Sequence, residues 1–194
     1  MKMICKGASL KRMIGEKIGG FLVLALLISI LPTSIVMAYS IGDYHWDSTG
    51  TTYDITSLPS DWQTQVSAAA NSWNGSGANF TFTSSSSSGN DLTQEYRPDD
   101  SCIGLSGGYY IYGTNHWASC WTIFNTRYTF STDGSSGTYD IQSVAVHELG
   151  HWLKLNDVYF WPWESKVMYF VLNTGTLRRT LQQDDINGIN AIYP

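Results

Sequence analysis

Apolar residues recur along this chain at two different spacings, and each switch of spacing marks a change of element. Trp62, Val66, Ala69, Ala70 and Trp73 fall at i, i+4, i+7, i+8 and i+11. That is the stripe of a helix laid on a core, and Asn74 with Gly75 ends it. Ser57 and Ser60 offer its N-cap, just before Asp61. Upstream, Thr51, Thr52, Tyr53 and Ile55 form strand-type sequence, and downstream Phe80 and Phe82 alternate with Thr81 and Thr83 as a second short strand. Residues 109–130 are dense in aromatic and β-branched types and are interrupted by Gly113, Thr114 and Asn115, which predicts two or three strands joined by turns, with Trp117 and Trp121 in or beside the sheet. After a turn-rich stretch at 133–137, Asp140 can cap a helix whose apolar members are Ile141, Val144, Ala145 and Leu149. Thr180 and Gln183 have capping-box spacing ahead of a closing helix that buries Ile186, Ile189 and Tyr193. Residues 84–90 are mostly serine and read as a solvated loop.

One apolar stretch follows neither period. Residues 21–31 are hydrophobic throughout, Lys2, Lys6, Lys11, Arg12 and Lys17 precede them, and Val36, Met37 and Ala38 follow. This is the pattern of an export signal cleaved after Ala38. The alternative is an uncleaved anchor over 19–38, which is nearly long enough to span a bilayer but contains Pro32 and a cleavage-like end. Removing residues 1–38 from 194 leaves 156, residues 39–194, enough for one domain. Five basic residues and Glu16 leave with the leader, so 11 Lys+Arg and 16 Asp+Glu become 6 and 15, a formal charge of -9. That balance argues against nucleic acid as a partner. The expected product is a secreted monomer with no stable membrane insertion. Cys5 departs with the leader, and Cys102 and Cys120 remain as an even pair in an oxidising compartment. A disulfide between them would contribute on the order of 3 kcal/mol; the alternative is two buried thiols.

The candidate chemistry lies in HELGH, residues 147–151. Four residues along a helix advance about 6 Å and turn roughly 40°, so the imidazoles of His147 and His151 can meet one metal ion, and Glu148 can reach a water on it. Such a string alone is moderately specific. Asp157 follows six residues after the second histidine, where the extended pattern HExxHxxGxxH/D places its third ligand, and Met168 lies within Lys166, Val167, Met168 and Tyr169. Two neutral imidazoles and one carboxylate leave the fourth tetrahedral position open, which distinguishes catalytic from structural zinc.

Residues 143–151, 167–169 and 181–193, in this order and spacing, resemble the catalytic domain of the matrixins, a family of metzincin zinc peptidases. Residues 122–125 are similar to that family's last strand before the site, while 39–120 match only in the order of element types. The resemblance implies an α+β, zincin-like catalytic domain with a twisted mixed β-sheet and three helices, including an active-site helix and a C-terminal helix. It further implies one catalytic Zn2+ held by His147, His151 and Asp157, Glu148 as general base, and Met168 as the hydrophobic floor of a Met-turn. A zinc-dependent metalloendopeptidase acting on protein or peptide substrates is the activity it predicts. Tyr169, Phe170 and Val171 would line an apolar substrate pocket, with Arg178 and Arg179 at its rim or on solvated surface. Asp184 and Asp185 would anchor the last helix to the Met-turn.

Three departures from the family pattern bear on the site. Lys154 stands where a glycine normally turns the chain out of the helix, so either Lys154 adopts positive φ at a cost on the order of 1 kcal/mol or the turn shifts to Asn156. Asp157 replaces the usual histidine and should leave the zinc a weaker Lewis acid. No PRCGxPD segment is present, so latency through such a cysteine is not expected. His45 and His116 read as surface or packing residues rather than ligands of an additional zinc. Asp133 and Asp140 could supply oxygens to Ca2+, but turn chemistry explains them equally well. Trp161, Pro162 and Trp163 form either a substrate platform or a plug over the metal loop. Two competing readings remain: a gluzincin-type site with Glu164 as third ligand, and a non-catalytic extracellular zinc-containing binding or adhesion module that uses exposed aromatics. Met168 argues against the first, and the intact Glu148 against the second.

Overall fold

The computed structural model describes residues 2–3, 5–6 and 39–194. The apolar run of the leader and the cleavage point after Ala38 lie outside the described residues. In chain order the elements are β1 (Lys2–Met3), β2 (Cys5–Lys6), β3 (Ser40–Ile41), β4 (Gly50–Tyr53), α1 (Ser60–Asn74), β5 (Thr81–Ser84), β6 (Asp91–Glu95), β7 (Gly104–Tyr110) and β8 (Trp117–Asn125). They continue with β9 (Phe130–Ser131), β10 (Tyr139–Asp140), α2 (Ile141–Trp152), β11 (Leu155–Asn156), a 3-10 turn (Trp161–Trp163), β12 (Val171–Leu172) and α3 (Gln183–Ile192). The three helices and mixed sheets are those of an α+β domain. No helix among the described residues is long and apolar enough to cross a membrane.

Parallel neighbours need a crossover, and α1 supplies the one between β4 and β5. β6 runs parallel to β8, β7 runs antiparallel to β8, and β2 lies parallel on the other side of β7. The two sheets are joined at Asp54, whose N–H donates to Asn90 (2.8 Å) and whose carbonyl accepts from Leu92 (2.9 Å). Helices α1 and α2 pack together, and α2 also packs on β7. Val66, Ala69, Ala70 and Trp73 form the buried face of α1, as their spacing predicts. Two buried indole N–H groups find acceptors: Trp73 Nε1 donates to the Val146 carbonyl (2.8 Å) and Trp152 Nε1 to Thr122 Oγ1 (3.0 Å).

Several local expectations change. The capping box of α3 is Gln182 with Asp185, not Thr180 with Gln183, because the helix begins at Gln183. β6 and the start of β7 have too little apolar alternation to stand out in sequence; pairing with β8 makes them strands. Asn90, assigned to a solvated loop, is buried, donates to Thr51 Oγ1 and the Thr52 carbonyl, and accepts from Cys120 N–H.

The expected Cys102–Cys120 disulfide is corrected. Cys120 carries a free, buried thiol. In the β7–β8 register Gly104 faces Phe124 and Gly108 faces Cys120, which puts Cys102 opposite position 126, six residues from Cys120. That is about 20 Å at strand spacing, against a Cα separation of roughly 7 Å at most for a disulfide. Even cysteine count and oxidising context could not reveal this, because register decides it.

Candidate metal centre

Helix α2 begins at Asp140, whose carboxylate accepts from the Ser143 N–H (2.8 Å) and hydroxyl (2.6 Å). Arg179 Nε also donates to that carboxylate, at 2.9 Å. One turn apart on the buried side of α2, the His147 and His151 rings stand edge to face with centroids 4.8 Å apart. His147 Nδ1 donates to the Val167 carbonyl and His151 Nδ1 to the Leu155 carbonyl, each at 2.8 Å. A carbonyl only accepts, so each Nδ1 carries the hydrogen, and in its neutral form each ring presents an Nε2 lone pair to the site.

The chain leaves α2 through Lys154, which takes φ 75°. Of the two ways to turn without a glycine, the positive φ is the one adopted. The turn is held from outside: Gly42 N–H donates to the Lys154 carbonyl (2.6 Å), and β11 pairs antiparallel with β3. Beyond it, Val158 N–H donates to the Met168 carbonyl (2.9 Å) and Phe170 N–H to the Val158 carbonyl (3.2 Å). Asp157 is thereby brought against α2, with Oδ1 3.1 Å from His147 Nε2 and 3.8 Å from His151 Nε2.

The ligand atoms of His147, His151 and Asp157 all lie within 4.8 Å of one another, and all three residues are buried. His147 Nε2 and Asp157 Oδ1 approach closely but without hydrogen-bond geometry, and neither has a hydrogen-bond partner among the described residues. A nitrogen lone pair and a carboxylate oxygen converging in a buried site are donors that a bound cation would satisfy. The donor set therefore fits zinc. Burial disfavours charge on either partner, yet Asp157 raises the His147 pKa and His147 lowers that of Asp157, so the pair favours opposite charges.

Glu148 is fully buried, with neither carboxylate oxygen partnered among the described residues. Burial raises its pKa to about 7. Gly104 makes room for it, since a Cβ there would collide with Glu148 Oε1 and Val144 Cγ1. Sequence reading had no means of finding Gly104. Behind the histidines, buried Met168 places its sulfur against Gly150, where a Cβ would also meet Trp73. Asp185 on α3 accepts from Val167 N–H (3.1 Å), Met168 N–H (3.4 Å) and Gln182 N–H (2.8 Å). Asp184 pairs with Lys166 at 2.7 Å. Both aspartates thus tie α3 to the turn containing Met168.

With this geometry in view, residues 45–194 match the Peptidase M10 family, described as Matrixin. The chain belongs to the matrixin family. A stretch of 54 residues is 41% identical to Metalloendoproteinase 2-MMP of Arabidopsis thaliana and covers 28% of this chain and 14% of that protein. The chain therefore spans only a small part of that relative. The matrixin family is zinc-dependent, in keeping with the cluster of His147, His151 and Asp157.

Glu164 is exposed and absent from the cluster, so the gluzincin-type site is not formed. His45 and His116 pack edge to face at 4.9 Å, with His116 Nε2 3.6 Å from Asp47. Tyr169 and Val171 are buried, and Phe170 is half-buried. Arg178 departs from the solvated reading, because its guanidinium donates to the Tyr169 carbonyl at 2.8 Å and to that of Val171. Burial lowers its pKa to about 10. Asp133 accepts from Ser135 N–H at 3.0 Å, as turn chemistry predicts.

Proposed function

We propose that this chain is a secreted zinc-dependent metalloendopeptidase that hydrolyses peptide bonds with Glu148 as general base. The observation that carries the reading is the convergence of two Nε2 lone pairs and one carboxylate oxygen beside an unpartnered, buried glutamate. His147, His151 and Asp157 would hold the metal, with α2 as the active-site helix under a twisted mixed sheet. Bound there, zinc supplies Lewis-acid polarisation of the scissile carbonyl and lowers the pKa of water toward about 7. Glu148, held in an environment that raises its proton affinity, accepts a proton from the attacking water and delivers it to the leaving amine. Met168 supports the histidines from below, and Tyr169, Phe170 and Val171 shape the wall against which a substrate side chain rests.

Export and removal of residues 1–38 belong to the same proposal. In the full chain, β2 lies along β7 and β1 pairs with β12, so cleavage after Ala38 would sever the backbone link between both strands and the domain. Strand edges beside a catalytic group can then accept an extended peptide.

The test is cleavage of casein or gelatin by the purified protein, with and without chelator, beside Glu148→Gln. The expected result is zinc-restored activity in the wild type and a loss of about 10³-fold in the variant, which still binds zinc. Zinc binding by the wild type without cleavage of a broad peptide library would instead establish the non-catalytic binding module. The exposed Tyr109, Tyr110 and Tyr112 at the β7–β8 tip favour that second reading.

A further inference from the structure

Asp157 uses its two oxygens differently. Oδ1 faces both histidine Nε2 atoms and has no hydrogen-bond partner among the described residues. Oδ2 accepts a hydrogen bond from the Tyr159 hydroxyl at 3.3 Å. No other side-chain or backbone donor to Oδ2 is present among the described residues. The tyrosine is more than half exposed, yet its position is set from two sides. The backbone of Val158 is pinned between Met168 and Phe170, and the Tyr159 ring packs on Phe170 with centroids 4.8 Å apart.

We infer that Tyr159 is a positioning residue for the metal centre: its phenol holds Oδ2 of Asp157 away from the ion, so that the carboxylate ligates through Oδ1 alone. This rests on the metal-site reading above. A carboxylate can chelate through one oxygen or both, and the bidentate mode would fill the coordination position that hydrolysis needs open. A hydrogen bond to the outer oxygen selects the monodentate mode and withdraws charge from it. The second effect matters here because an aspartate replaces a neutral imidazole as third ligand, so the phenol offsets part of the extra negative charge.

Tyr159→Phe removes one oxygen and keeps the ring on Phe170. Zinc affinity is measured on the purified full chain by competition with a chromophoric chelator, for the wild type, Tyr159→Phe, Asp157→His and the double variant. The expected result is about tenfold weaker zinc binding in Tyr159→Phe, and less than a twofold effect of the same change in the Asp157→His background, where no outer carboxylate oxygen remains. Equal affinities of wild type and Tyr159→Phe would overturn the inference. So would an equal loss in both backgrounds, which would assign Tyr159 to packing. Asp157→Ala measured alongside separates the two levels: if it binds zinc as tightly as the wild type, the ligand assignment itself fails.

Discussion

The two halves of the candidate metal centre are built by opposite means. His147 and His151 sit on a regular helix with a side-chain cap at its start, and helical periodicity alone brings their rings together. Asp157 comes from a loop that begins with a lysine at φ 75°, has little regular structure, and is held by bonds to residues 40–42, 168 and 170. A helix positions ligands through contacts four residues apart; a loop does so only through partners remote in sequence. The loop side should therefore be more sensitive to distant substitutions, and the helix side to loss of its own side chains.

The largest effect that sharpens this contrast is on the loop. Asp185→Ala removes the acceptor for three backbone N–H groups, two of them in the turn containing Met168. The expected cost is about 3 kcal/mol, or a fall of roughly 10 °C in Tm by calorimetry, although Asp185 touches no ligand. A change under about 1 kcal/mol would show that the loop holds itself.

Next comes the pH dependence of the metal-free protein, which probes the helix side. Glu148 has its folded pKa raised by burial to about 7 from an ordinary 4.5. Its contribution to stability is full below about pH 4.5 and is lost as pH rises through about 7. His147, raised in the folded state, acts in the same direction above its ordinary value, whereas Asp157, lowered, loses its contribution only on acidification below its ordinary value. The Tm of metal-free protein should fall as pH rises from about 4.5 through about 7, and Glu148→Gln should flatten most of that fall. An unchanged slope in the variant would sink the assignment.

A smaller effect is expected from Lys154→Gly. Glycine adopts φ 75° without a Cβ penalty, so the substitution should stabilise the fold by about 1 kcal/mol and raise Tm by roughly 3 °C. Destabilisation would mean that the lysine side chain contributes more than its backbone costs. The smallest is Asp157→His, which replaces the loop's charged ligand with a neutral one. The acid limb of the pH-activity profile should move to lower pH, because the metal becomes a stronger Lewis acid. Identical limbs would remove that argument.

Legibility in sequence follows the same division. The stripe of α1, the Asp140 cap and the HELGH face of α2 could be read because each depends on residues within a few positions of one another. Asp157, Met168 and Asp185 were accessible only through resemblance to the family, since nothing in their own surroundings places them near α2. The roles of Gly104, Asn90 and Tyr159 could not be read at all, and Arg178 was read only as a rim or surface residue. Gly104 matters because Glu148 occupies the space of its missing side chain, and Arg178 because its guanidinium reaches the carbonyls of Tyr169 and Val171. The cysteines failed for a related reason: their number suggested a bridge, but strand register kept them apart.

By itself, then, the chain's sequence determined the helices, their buried faces, and the pair of imidazoles that one helical turn brings together, because these rest on local periodicity. Tertiary structure alone decided which oxygen of Asp157 faces the two imidazoles, how deeply Glu148 is removed from water, and how the exit turn is held at Lys154. Those properties arise from packing between segments tens of residues apart, where desolvation and hydrogen-bond geometry depend on where the backbone lies.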